Sequence, residues 1–167
     1  MKKIFSLLLF IAAFFAEAQI QHCGYDFTSY LVVDAHEDGK VVNVSTLKIS
    51  VVNENGSAVI NVNNSYSWNN SNQPMVFKQN YLINKEGEKE RYFFPYAKDQ
   101  YFLSVANTFP AENFSIKIED TAGVYKTQTI PLQSFNMYVL CSSENERQSR
   151  MFGPRTNRPI EVILEKK

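Results

Sequence analysis

The chain of 167 residues is short of the side chains on which most enzyme chemistry rests. It has two histidines, His22 and His36, so general-base work would fall mostly to carboxylates. It contains no Gly-x-Ser-x-Gly, no His-Glu-x-x-His and no Cys-x-x-Cys. Six glycines leave little material for a phosphate-cradling loop. Charge of one sign is missing as well: 17 basic and 17 acidic residues cancel, and the pI is near 6.7. Such a chain has no global field to draw in nucleic acid or an anionic membrane. Beyond the amino terminus no apolar run approaches the eighteen residues of a membrane span. These absences point away from an enzyme, a resident cofactor, a metal and nucleic acid.

What is present begins with an amino-terminal leader. Lys2 and Lys3 precede an uncharged apolar run from Ile4 to Phe15, and Ala16-Glu17-Ala18 has the small-x-small pattern of a signal-peptidase site. Twelve residues of helix span about 18 Å, short of a hydrocarbon core about 30 Å thick. Residues 1–18 are therefore expected to be a cleaved signal peptide of bacterial type, and the protein to be periplasmic or extracellular. Cys23 lies close to this leader. However, Gln21 and His22 stand where a lipoprotein site needs small residues, so no lipid anchor is expected.

Cys23 and Cys141 are the only cysteines, and an even count in an oxidising compartment favours one bridge between them. The competing reading is a reactive Cys23 thiol activated by His22. Adjacent residues on a strand point to opposite faces, which places His22 poorly for that task.

Period-two alternation runs through the rest of the chain, and aromatics at 14% lean the same way. Leu47, Ile49 and Val51 alternate with Lys48 and Ser50; Phe114, Ile116 and Ile118 alternate with Ser115, Lys117 and Glu119. Asp38-Gly39, Asn55-Gly56, Glu86-Gly87 and Ala122-Gly123 mark tight turns between such runs. Strands are predicted at 26–34, 40–44, 46–53, 57–68, 75–84, 90–95, 101–107, 113–119, 124–131, 135–141 and 159–165. Pro131 should put its strand at an edge or a bulge. The pattern predicts an all-β, antiparallel β-sandwich over residues 19–141. Residues 142–167 should follow as a polar connector, with Ile160, Val162 and Leu164 as a candidate last strand.

The run from Leu47 to Gly56 resembles the opening hairpin of transthyretin-like and carboxypeptidase-regulatory-like modules. Tyr101 to Val105, followed by Phe114 to Asp120 and Gly123, is similar to their closing strands. The resemblance covers residues 25–132 and implies an immunoglobulin-like sandwich of a kind common in secreted bacterial proteins. The segment 61–100 is longer than that pattern expects. An enzymatic branch of the fold ends in Tyr-Arg-Gly-Ser, which this chain lacks, so the resemblance implies no activity.

Four segments hold candidate chemistry. Asp34, His36 and Asp38 share parity and are possible cation ligands, but without an Asp-x-Asp-x-Asp-Gly register they read as a polar hairpin tip. Residues 61–73 are rich in Asn and Ser and contain the single tryptophan. Tyr66 and Trp68, with Asn69 and Asn70 beside them, have the chemistry of a carbohydrate face: rings to stack and amides to bond hydroxyls. The competing reading is packing. Ala58, Ile60, Val62, Tyr66 and Trp68 share parity, and one long strand would turn them all into the core. Aromatics between Tyr92 and Phe102 divide in the same way between core and a partner surface. Arg147, Arg150, Arg155 and Arg158 stand beside Glu144 and Glu146 and read as a solvated connector.

The functional expectation is an exported, non-enzymatic β-sandwich that acts as a binding or structural component of the bacterial envelope. Its partner would be an envelope protein or a glycan. A carbohydrate-binding module built on Tyr66 and Trp68 is the second reading, and a carboxylate-based hydrolase the third.

Overall fold

Alternation between buried and exposed side chains organises the chain into two facing sheets. The computed structural model describes residues 27–79, 81–83, 89–91, 99–141 and 155–167. The leader, Cys23, the Glu86-Gly87 turn, the aromatics at 92–96, Arg147 and Arg150 lie outside the described residues. The strands are β1 (Thr28–His36), β2 (Leu47–Val52), β3 (Lys78–Gln79), β4 (Tyr81–Ile83) and β5 (Lys89–Arg91). They are followed by β6 (Tyr101–Ala106), β7 (Ser115–Asp120), β8 (Gln128–Pro131), β9 (Met137–Val139) and β10 (Ile160–Ile163). Helical structure among the described residues is confined to the 3₁₀ turns Val62–Asn64, Ala111–Asn113 and Ser134–Asn136. The protein is all-β.

The larger sheet has β1 at its centre. β6 pairs along one side of β1, Tyr30 opposite Ser104 and Val32 opposite Phe102, and β3 extends β6 with Lys78 opposite Phe102. The other side of β1 is shared. β9 pairs antiparallel with its first half, and β10 pairs parallel with its second half, Val33 opposite Ile160. That parallel pair departs from the antiparallel expectation. The smaller sheet is β2-β7-β8, fully antiparallel, with β8 and its Pro131 at one side and β2 at the other. β4 and β5 form a separate hairpin.

The core lies between the sheets. Leu31, Val33 and Ala35 of β1 and Leu103 and Val105 of β6 pack with Ile49 and Val51 of β2 and Ile116 and Ile118 of β7. Each large aliphatic side chain so buried contributes about 1.5–3 kcal/mol. Alternation sends the intervening residues outward, where Tyr30, Val32, Phe102 and Tyr138 form a second buried cluster on the opposite face of the larger sheet.

Both edges of the sandwich are closed by chain segments that change sheets. Residues 75–77 run along β2, with Val51 N–H donating to the Met75 carbonyl and Phe77 N–H to that of Ile49. The next two residues are β3 in the larger sheet. At the other edge β10 lies against β1, then Lys126 N–H donates to the Glu165 carbonyl and Lys167 N–H to that of Val124, beside the entry to β8. β9 is protected differently: the Asn157 side chain accepts from Val139 N–H and donates to the Val139 carbonyl, taking the place of a neighbouring strand.

Two strand expectations fail for the same reason, an asparagine side chain substituting for backbone. At 40–44 no strand forms, because Asn43 Oδ1 takes the Ala35 N–H at 2.6 Å while its Nδ2 donates to Asp34. The expected strand 57–68 reduces to bridges at Ala58 and Ile60. Its inward parity is the opposite of that expected: Val59 and Asn61 are buried, whereas Ala58, Ile60, Val62 and Trp68 are exposed. The connector expectation also needs correction. Arg155 is buried, where it donates to the Ser134 carbonyl, and desolvation draws its pKa down. Arg158 is exposed.

Candidate binding groove

The Asn-rich segment folds around one side chain. Asn61 is 1% exposed, and its Nδ2 donates to the carbonyls of Ser67 at 2.9 Å and Asn69 at 2.7 Å. Its Oδ1 accepts the N–H groups of Tyr66 and Ser67 at 3.0 and 3.1 Å. Its own backbone N–H donates to the Gln73 carbonyl, and its carbonyl accepts from Asn72 N–H. A buried amide thus supplies the partners that a strand ladder would otherwise provide. Asn63, Asn64, Asn70 and Asn72 all have φ between 49° and 61°, within the left-handed region that Asn tolerates better than other side chains. Much of the segment's asparagine content therefore serves the backbone.

The loop forms one wall of a groove of about 370 Å³. Ser67, Asn69 and Asn70 come from the loop, while Tyr30, Phe102 and Ser104 come from the outer face of the larger sheet, with Leu103 between the last two. Val76 and Lys78, on the segment that changes sheets, close the far side. Strand register explains the floor: Tyr30 lies opposite Ser104, Phe102 opposite Lys78, and the Tyr30 and Phe102 rings sit 6.5 Å apart. The backbones of Asn69 and Asn70 are tied to Asn61, yet their side-chain amides make no hydrogen bond among the described residues. They are held in place with their donors and acceptors still available.

Trp68 stands between two residues of this wall and is 59% exposed. Its indole N–H donates to the Phe27 carbonyl at 3.3 Å, and Phe27 is itself 56% exposed with φ at 66°. A left-handed phenylalanine is an uncommon backbone state of the sort that concentrates at functional sites. Tyr66 is placed otherwise. Its ring packs edge-on against Phe109 at 5.7 Å and Phe114 at 5.5 Å, at the margin of the core. Of the two rings read together in the sequence, one belongs to packing and the other to the surface.

Asp34, His36 and Asp38 are not brought together as a ligand set. Asp34 accepts from Asn43 and from Gln100, at 2.7 and 3.0 Å. The His36 ring is buried, 2.9 Å from the Glu37 carbonyl and 3.5 Å from a Glu161 carboxylate oxygen, and Asp38 is exposed in the turn. Among the described residues no group of three or more His, Cys, Asp and Glu side chains is placed to hold a metal. Among the described residues Glu37 and Asp120 are the most strongly perturbed carboxylates. Lys40 at 2.8 Å, then the Tyr125 hydroxyl at 2.5 Å, hold Glu37 down to about 2. Asp120 is held to about 2 by the Thr46 hydroxyl and the N–H groups of Ala122, Tyr125 and Val124. A general acid needs a shift in the other direction.

Phe102 lay in the aromatic stretch divided between core and partner surface, whereas Tyr30, Lys78 and Ser104 were not singled out in the sequence. They come from three separate strands, and their one signal was outward parity opposite the core residues. No protein-family model, curated protein or solved structure matches the chain.

Proposed function

We propose that this chain is an exported, non-enzymatic binding protein of the bacterial envelope that takes a carbohydrate in the groove beside Trp68. The observation that carries the reading is the solvent-facing indole of Trp68, fixed to Phe27 and flanked by two groove residues. An exposed ring offers a flat apolar face to a sugar ring at low entropic cost, and the unengaged amides of Asn69 and Asn70 suit its hydroxyls. Tyr66 has no part in this reading, because its ring is committed to Phe109 and Phe114. Export rests on the Lys2-Lys3 leader and the Ala16-Glu17-Ala18 site. A Cys23–Cys141 bridge accompanies it, supported by the even cysteine count in such a compartment. Kinship with transthyretin-like modules belongs to the same proposal, supported by the hairpin that β2 makes around Asn55-Gly56 with residues 57–59.

The test is a glycan array followed by titration of the bound oligosaccharides. Binding should change Trp68 fluorescence. Trp68→Ala should weaken affinity at least about tenfold while costing less than about 1 kcal/mol of stability. A variant that binds as well as the parent, or an array without any bound sugar, refutes the reading.

A further inference from the structure

We infer that the groove selects an acidic saccharide, one whose carboxylate or sulfate meets Lys78; this rests on the carbohydrate reading above. Lys78 is the only charged side chain among the described lining residues, which include no carboxylate. Its ammonium makes no ion pair or hydrogen bond among the described residues. Four other lysines are engaged: Lys40 and Lys166 with Glu37, Lys117 with Glu119, and Lys126 with Glu165. Lys78 is set in position by β3, whose pairing puts it directly opposite Phe102 on the groove floor.

The remaining polar lining among the described residues is neutral. Ser67, Asn69, Asn70, Ser104 and the Tyr30 phenol are groups that bond sugar hydroxyls without preference for charge. Among the described lining residues, one cation set among neutral donors and acceptors gives the site a charge-selective contact. In a groove partly walled from water that contact is stronger than on an open surface. A neutral sugar would leave the ammonium without a partner, whereas an acidic one supplies it.

Oligouronates and their fully methyl-esterified counterparts separate these cases, since the esters keep rings and hydroxyls but lose the charge. Both are titrated against the parent protein, Lys78→Gln, Lys78→Arg and Trp68→Ala, at low and at high salt. The acidic oligomer should bind at least about tenfold tighter than its ester, and added salt should weaken it. Lys78→Gln should reduce acid binding to the level of the ester, Lys78→Arg should retain the preference, and Trp68→Ala should weaken both ligands. Equal binding of acid and ester, with Lys78→Gln silent, overturns the charge selectivity and leaves the carbohydrate reading standing. Failure of both oligomers to bind overturns the acidic selectivity, and the carbohydrate reading falls with it where the array also shows no bound sugar. Lys78 is exposed, so Lys78→Gln should keep the parent's dichroism spectrum.

Discussion

Glu37 and Asp120 show how single side chains tie loops to the sandwich. Glu37, just past β1, is bonded by Lys40, Lys166 and the Tyr125 hydroxyl, and so joins the β1–β2 turn to the β7–β8 turn and the chain end. Asp120 accepts three backbone N–H groups of its own turn and the Thr46 hydroxyl. Both have folded-state pKa values near 2, against ordinary values of 4.5 and 3.8. A carboxylate depressed in this way binds fewer protons folded than unfolded. Its contribution is therefore complete above the ordinary carboxylate range and disappears as pH falls from there towards 2. Denaturation midpoints should hold steady from neutral pH to about 5 and then drop. The double variant Glu37→Gln, Asp120→Asn should have a shallower acid limb; an unchanged limb would show that neither group is linked to folding.

Among the elements, the loop from Asn61 to Gln73 departs furthest from regular structure and forms a groove wall. Its geometry hangs on Asn61, which bonds four backbone groups at 2.7–3.1 Å from a fully buried position. Asn61→Ala strands those groups away from water and should cost about 3 kcal/mol in urea unfolding. It should also blunt the ligand response of Trp68, because Asn69 and Asn70 lose their anchor. A loss under about 1 kcal/mol would mean that water replaces the amide without penalty. Trp68→Ala makes the opposite pairing, a small stability change with a large binding change, so the two variants separate support from recognition.

For the whole molecule, closure matters more than strand count. Residues 75–79 and the stretch from β10 to Lys167 each pass from one sheet to the other, which covers strand edges of β2, β6 and β1 that could otherwise pair wrongly. The proposed Cys23–Cys141 bridge would add a constraint of longer range. It would reach the buried Cys141 just after β9 and enclose 117 intervening residues. Loop-closure entropy values such a link at about 4–5 kcal/mol. Exported protein unfolded without reductant should show no titratable thiol, and reduction should lower its unfolding midpoint; two thiols before reduction would refute the bridge.

Alternation and turn chemistry were legible in the sequence because both are local. A strand's inward residues recur every second position, and Gly56 and Gly123 adopt the positive φ that their turns require, so β1, β2, β6, β7, β9 and β10 could be placed from residues near in sequence. The same logic mistook residues 57–68 for a strand. Nothing in the spacing of Ala58, Ile60 and Val62 reveals that Asn61 will replace a ladder with its own amide and reverse the parity. Local reading picked out Asn69 and Asn70 of the groove, but not the surface they face. Tyr30, Lys78 and Phe102 are far apart along the chain and meet only through strand register, while Tyr66 and Trp68, two residues apart, part company because aromatic neighbours claim one ring and not the other. Local backbone preference set the strands and turns; long-range pairing decided which side chains share a surface.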